Sequence, residues 1–483
     1  MFISENSYCH TKQLRIFFFL LLQLTFGCTN MLYAFQMPLR NKPIRVGIAH
    51  LITIDTGVKK TPTFLKKNFK AATTQLLLGE IVPWTFDKYV AKMQYASISM
   101  ESTNYNLNLN SWTWDDDDFG TNQFGHPYHG SAFYSAFRVN GYSFWQSAPA
   151  AFAGSYIWET FAENQAPSIN DFINTGFGGV ILGEMSFRLS KMIVNNHTRG
   201  FKRQASEVLA FLINPMNGFK RIVDHKWGKV GNNSAQFDSS KIYAEFDIGL
   251  RQFNANKTGT AMVYYGHVKL LYGNPFENYR KPFSNISINM ELSNDDSSKL
   301  NTLNVYGTLT GWFIGKSTKN THLLILSTNY DFLQNQAFLY SAESIKLNLF
   351  SNIQVVKKIK MNSIIGLGAI FLAAVPDAYG YQNRNYAFGC GLATNASIGL
   401  QLFNKISVNA NYKGSLIKTL NGNPAHYFLH IITAEAQYKL LNHIGICFEP
   451  GYFKLYGHYK YLPDVNETYP YFRFSVRYAA QGK

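Results

Sequence analysis

From about Lys241 to Tyr478, apolar and polar residues alternate one for one, and the alternation restarts at intervals of roughly 20 residues. Ile242, Ala244, Phe246, Ile248 and Leu250 interleave with Tyr243, Glu245, Asp247, Gly249 and Arg251. Ile286 to Leu292, Ile406 to Tyr412 and Phe472 to Tyr478 repeat the pattern. Successive side chains of a strand point to opposite faces, so each run carries one apolar row and one polar row.

The spacing predicts about twelve strands, near 241–252, 259–272, 285–293, 301–315, 320–332, 337–352, 361–374, 388–402, 405–416, 427–440, 444–456 and 470–479. Twelve open strands would leave unpaired edges, which closure into a barrel removes. Short turns such as 403–405 and 441–443, set against longer loops at 274–283 and 376–385, suggest the two unlike ends of a membrane barrel. Tyr264, Tyr265, Tyr272, Tyr330, Tyr340 and Tyr438 are placed to form its aromatic girdles. Composition agrees: 16% of the 483 residues are aromatic and only 15% are charged, against about 25% in soluble domains. So much apolar surface also argues against disorder. The competing architecture is a soluble secreted sandwich or propeller, whose apolar rows would face a core. Ala479 to Lys483 follow the last aromatic, a departure from the common outer-membrane ending.

Residues 1–34 read as a secretory signal: Lys12 and Arg15 precede an apolar run from Ile16 to Phe26 that is too short to span a bilayer. Simple removal after Ala34 and lipidation at Cys28 are the two outcomes. Cys390 and Cys447 fall on opposite faces of non-neighbouring strands and are expected to be free thiols.

Residues 60–230 differ from the strands that follow at 238–483 and predict a helical module, so the fold class is α+β: an N-terminal helical module followed by an antiparallel transmembrane β-barrel. Residues 62–90 space Phe64, Phe69, Leu76, Leu77 and Ile81 as an apolar helix face, kinked before Pro83. Ser97 to Trp114 alternates and is expected to be a strand, ending in Asp115 to Asp118. Pro127 suits a first helical turn, with His126 and His129 three residues apart. A small-residue helix at 144–163 carries Glu159 and Glu163 on one face. Ser168 and Asp171 form an expected capping box, and Thr175, Gly179 and Gly183 make a smooth stripe suited to close contact with the preceding helix.

These residues carry a resemblance. Trp114 through Asn122, Gly125-His126, His129 through Ser131, Arg138, Gly154 through Glu159, Glu163, Pro167 through Asp171, Gly178 and Gly183-Glu184 together resemble an uncharacterised bacterial envelope family, domain of unknown function 3943, over about residues 60–225. Membership implies a Gram-negative envelope protein and brings no established reaction. The order of histidine, apolar helix ending in glutamate and capped helix also looks like VanZ-like families, without their Asp-Lys before the histidine.

Three groups of residues bear on function. His126, His129, Glu159, Glu163 and Asp171 have the ligand types for a divalent metal or for general acid–base catalysis if their helices converge; the alternative is that they tie apolar helices together as polar pairs and caps. Asp115 to Asp118 lack the spacing of a calcium loop and read as a solvated turn or as partners for Arg138 or Arg188. Lys191, Arg199, Lys202, Arg203, Lys220, Arg221 and Lys226 suit anionic lipid or lipopolysaccharide phosphates, or an ordinary solvated helix face. The excess of positive charge, +16, is dispersed, and export would remove nucleic acid as a partner. The sequence therefore predicts a barrel in contact with outer-membrane lipid, with a helical module in its lumen or beneath it in the periplasm. Its role is structural, binding or lipid-handling, or else modification of an envelope lipid or glycan at His126, Glu159 and Asp171.

Overall fold

A computed structural model describes residues 66–482 except 197, 231–241, 255–261, 296, 318–319, 357–358 and 404. The signal segment, Cys28, the start of the helix expected at 62–90 and the stretch between module and barrel lie outside these residues. The chain divides into two compact units: Asn68–Arg188 groups with Ser239–Lys483, and Leu189–Asp238 belongs to the other.

Twelve antiparallel strands close into one barrel. They are β1 Ile242–Phe253, β2 Val263–Tyr272, β3 Ile286–Ser293, β4 Leu300–Lys316, β5 Asn320–Gln334, β6 Leu339–Val356, β7 Ile359–Tyr381, β8 Arg384–Leu402, β9 Ile406–Asn421, β10 Ala425–Lys439, β11 Ile444–Tyr459 and β12 Val465–Gly482. β1 pairs with β12, so no edge remains.

Ion pairs between non-neighbouring strands identify the lumen. Lys413 on β9 reaches Asp331 on β5 at 3.0 Å, and Arg473 on β12 reaches Glu291 on β3 at 3.1 Å. Such pairs can form only across the interior. Arg477 on β12 adds Glu435 on β10 at 3.0 Å, and Phe253 meets Phe453 with ring centroids 5.1 Å apart. The other row faces outward and is apolar, with Leu347, Ile365, Leu367, Leu392 and Val476 exposed. Cys447 faces the lumen and Cys390 the outside, and both are free thiols.

Two loop expectations fail. The 274–283 loop joins β2 to β3 at the same end as the short turns 403–405 and 441–443, so loop length does not distinguish the ends. The loop expected at 376–385 is strand almost throughout, because Gln382 and Asn383 both take positive φ (47° and 65°) and close a tight hairpin between β7 and β8. Of the six girdle tyrosines, only Tyr264 and Tyr438 are outward and exposed; Tyr265 and Tyr340 share the lumenal row, and Tyr272 and Tyr330 are buried.

The helices of the larger unit are α1 Phe69–Phe86, α2 Met100–Asn106, α3 His126–Arg138, α4 Phe144–Phe161, α5 Ile169–Ile173 and the first part of α6 Gly179–Val194. Single π-helical turns lead into α3 (Thr121–Gly125) and join α5 to α6 (Asn174–Gly178). The strand expected at 97–114 does not form: a capping box of Ser99 and Ser102 starts α2 there, a 3-10 turn at Leu109–Ser111 follows, and Thr113 makes a lone bridge to Ser168. The stripe of Thr175, Gly179 and Gly183 packs on α3 rather than α4: a Cβ on Gly130 would lie 2.0 Å from the Thr175 carbonyl oxygen, and one on Gly183 would lie 2.6 Å from the Tyr134 ring.

The helices meet the outward row of β5 to β8. Register sets Phe332 beside Ser341, Ser341 beside Ala374 and Ala374 beside Phe388, all opposite to lumenal Asp331. Phe119 packs on Phe332 and Tyr386, Phe124 on Phe332, and Trp114 on Phe388. Pro127 has no N–H to offer the Gln123 carbonyl four residues back; the Tyr330 hydroxyl donates to that carbonyl instead. A plug using the lumenal rows as its polar partner is therefore not what these contacts show. Those rows pair with one another.

In the other unit, α7 Phe201–Ile213 and α8 Pro215–Val223 are joined through Glu207, which takes Arg203 at 2.7 Å and Arg221 at 2.6 Å. Lys220 and Lys226 both reach Asp224. Four of the seven basic residues considered for lipid phosphate are thus engaged internally.

Candidate functional site: a histidine and carboxylate centre beside the barrel wall

Three segments converge at the start of α3. His126 opens that helix, Glu159 lies in the last turn of α4 and Asp171 in the first turn of α5. One ligand atom from each lies within 4.8 Å of the others, and Asp115 and Asp117 form a second such group with the same histidine. His126 Nε2 is 3.5 Å from Asp171 Oδ1.

Amides and backbone hold this arrangement. Asn170 Nδ2 donates to Asp115 at 3.0 Å and to Asp171 at 2.9 Å, and Asn122 Nδ2 donates to Asp115 at 2.7 Å. Ser168 caps α5 by accepting from the Asp171 N–H at 3.2 Å. The reciprocal bond expected from the Asp171 side chain comes from Glu159 instead, whose Oε2 accepts from the Ser168 N–H at 2.8 Å. Asp171 is thereby left to face His126.

Burial, then the negative charge of neighbouring carboxylates, holds Glu159 and Asp171 well above the ordinary carboxylate range. Burial lowers His126, against the pull of Asp115 and Asp118. Carboxylates this close repel one another when ionised, so the set favours shared protons or a bound cation. A histidine nitrogen with several hard carboxylate oxygens suits a divalent ion of the manganese, magnesium or zinc type.

The other two expected residues stay apart. His129 turns to the Gly79 carbonyl at 3.1 Å between Phe133 and Trp158, and burial lowers it to about 4. Glu163 accepts from Trp158 Nε1 at 2.6 Å and is raised by burial to about 8. Arg138 and Arg188 both pair with Glu184, each at 2.7 Å, and not with the aspartate run.

Sequence reasoning separated Asp115 and Asp117 from His126, because a strand expected to end at Trp114 gave no reason to fold the aspartates back. Asn122 and Asn170 lay within the family-like pattern but were given no role. Two strand residues had no local signal. Tyr386 takes Asn122 Nδ2 at 2.7 Å, and Glu343 brings a buried carboxyl with no hydrogen-bond partner up to Gly178.

A closed antiparallel barrel with an apolar outer row and a charged lumen is a membrane barrel of the outer-membrane class, here bearing helices on its wall. Within it, residues 111–216 match the family model described as "Domain of unknown function (DUF3943)", a shorter stretch than the 60–225 expected. The VanZ-like analogy finds no support in that match. A search of curated proteins returns no significant match. Among solved structures the chain is similar to the NanC porin (11% identity, 48% of this chain and 98% of that one, TM-score 0.29). It is also similar to an outer membrane channel from Pseudomonas putida F1 (10%, 53% and 100%, TM-score 0.30) and to OmpT of Vibrio cholerae (7%, 51% and 99%, TM-score 0.22). At such values the activities of those proteins do not transfer.

Proposed function

We propose that this chain is an outer-membrane enzyme that hydrolyses an envelope lipid or glycan, with the barrel as anchor and His126, Asp171, Glu159, Asp115 and Asp117 as a divalent-cation centre. The observation that carries the reading is the convergence of His126, Glu159 and Asp171 within 4.8 Å from three separate segments. A cation bound there would polarise the scissile group and acidify a water molecule. The protein's own part is to hold the ligands. Asn122 and Asn170 fix Asp115, the Ser168 N–H fixes Glu159, and the cap made by Ser168 sets Asp171 3.5 Å from His126 Nε2.

A second reading has its own observation. Asn122 links the same residues to the wall through Tyr386, which would make them a polar tie between helices and barrel with no catalytic role. The experiment is cation binding to the purified chain in detergent by calorimetry and elemental analysis, with manganese, magnesium, calcium and zinc, for wild type and for His126→Ala and Asp171→Asn. Stoichiometric binding lost in both variants supports the centre. No binding in a folded wild type leaves the tie. Hydrolysis of extracted envelope lipid and of glycan then distinguishes the substrates, and lipopolysaccharide is one lipid to include.

A further inference from the structure

Around a small apolar core of Leu76, Phe133, Ala136 and Ala150, the helical unit buries many polar side chains and leaves large apolar ones exposed. On α1 the inward positions are Ala72, Gln75, Leu76, Gly79 and Glu80, while Leu77, Leu78, Ile81, Val82 and Phe86 face out, the last three about half exposed or more. Of the residues expected on one apolar face, Leu76 is buried while Phe69, Leu77 and Ile81 are exposed. The other helices follow suit. Asn106, Ser147, Ser155, Glu159, Thr160 and Asn174 are buried, whereas Met100, Tyr105, Trp145 and Phe161 are exposed. In water such a unit would leave Phe86, Met100, Tyr105, Trp145 and Phe161 uncovered and still bear the cost of its buried amides and carboxyls.

The barrel wall supplies the missing context. On β6 a single outward row runs from exposed Leu347 to Glu343, which is buried beneath the helices, and on β8 from exposed Leu392 to buried Phe388. The surface that reads as lipid-facing on those strands therefore continues into the outer face of the helices. At the C-terminal end of α1, Lys88 lies 4.8 Å from the Trp84 ring and Trp84 meets Tyr89, a basic and aromatic combination suited to the headgroup level. No helix among the described residues is long and apolar enough to cross a membrane.

We infer that the outer face of the helical unit, centred on Leu78, Val82 and Phe86 of α1, is in contact with the acyl chains of the bilayer that surrounds the barrel. The helices lie against the wall inside the lipid phase and do not traverse it. This goes beyond the proposed chemistry, and its test needs no activity.

The test uses the full chain with its native cysteines replaced by serine, shown by heat-modifiable gel migration to be folded, in vesicles of phosphatidylethanolamine and phosphatidylglycerol. A spin label is placed at Leu78, Val82 or Phe86, with Ala72 as the buried control. At the three outer positions, collision with oxygen should exceed collision with a water-soluble nickel chelate several-fold; at Ala72 both should be low. Dominant nickel collision would mean water and would overturn the inference. Low collision with both agents would mean a protein cover and would also overturn it. Should the cysteine-free chain not fold, the native chain and Trp145→Phe are compared in vesicles with brominated acyl chains. The variant should lose part of the quenchable fluorescence, and unchanged quenching would count against lipid contact.

Discussion

Asn122 donates its side-chain amide to the Tyr386 hydroxyl at 2.7 Å, and that hydroxyl donates in turn to the Asp117 carbonyl at 2.8 Å. Two bonds from one strand residue thus anchor, at two points, the stretch that leads into the histidine helix. Tyr386→Phe keeps the ring packing with Phe119 and Phe388 and removes only the hydroxyl. The loss should cost about 1–3 kcal/mol, because Asn122 is fully buried and cannot turn to water. Thermal melting should show a lower midpoint for the helices while the barrel keeps its heat-modifiable migration. A variant indistinguishable from wild type would mean that aromatic packing alone holds the helices.

Gly130 lies against the π-helical turn after α5. A Cβ there would lie 2.0 Å from the Thr175 carbonyl oxygen, which is backbone and cannot swing away. Gly130→Ala should therefore force the two helices apart at a cost of roughly 1–3 kcal/mol or more. It should also loosen the Asp171 side of the centre. Gly125→Ala is the control, since its nearest neighbours would be 3.9 Å away. Circular dichroism melts of the two variants should differ in midpoint; equal midpoints would contradict the packing described.

The barrel was legible because period-two patterning is local: strand number and most bounds follow from runs such as Ile242 to Leu250, read without knowledge of their partners. The turns were less so. Gln382 and Asn383 make a hairpin by backbone conformation, which composition signals weakly. Among the site residues, His126, Glu159 and Asp171 were named from helix caps and faces, which are local. That Glu159 caps Ser168 depends on a tertiary approach of α4 to α5, and so does the separation of His129 and Glu163 from the centre. The apolar stripe of α1 was legible as a stripe but not as a contact, for a physical reason. An apolar stripe indicates what a helix face avoids, and both a protein core and a lipid phase satisfy that preference.

Glu207 joins α7 to α8 as a buried carboxylate between two guanidinium groups. Burial works against its charge, but the hydrogen bonds and charges of Arg221 and Arg203 outweigh it and hold the carboxyl below its ordinary range. A lowered folded-state pKa contributes stability that is present above the unfolded value and lost as pH falls through the folded one. Hydrogen exchange of the Phe201–Ile213 helix should therefore be slow at neutral pH and accelerate below about pH 4. Glu207→Gln should remove that acid step and expose a standing defect of about 3–5 kcal/mol, since it leaves Arg203 buried without its counter-ion. An acid step that persists in the variant would assign it to another carboxylate.

Occupied space in the lumen argues against conduction. Lys413 to Asp331 at 3.0 Å, Tyr340 to Ser415 at 2.9 Å and Arg477 to Glu435 at 3.0 Å span strands that are not neighbours. Beyond them Phe253, Phe338, Phe453 and Tyr471 form an apolar layer. A cavity of ≈ 50 Å³ lies beside Asp331 and Lys413, room for a few water molecules. Planar-bilayer recordings of the wild-type chain should show no steady open channel. Lys413→Met and Lys346→Met with Asp331→Leu should behave likewise, because the triple change replaces the charges that meet at Asp331 with comparable volume and leaves the aromatic layer in place. Steady conductance of the order expected from an open porin, in either protein, would mean that this filled lumen is not the state the barrel holds in a membrane.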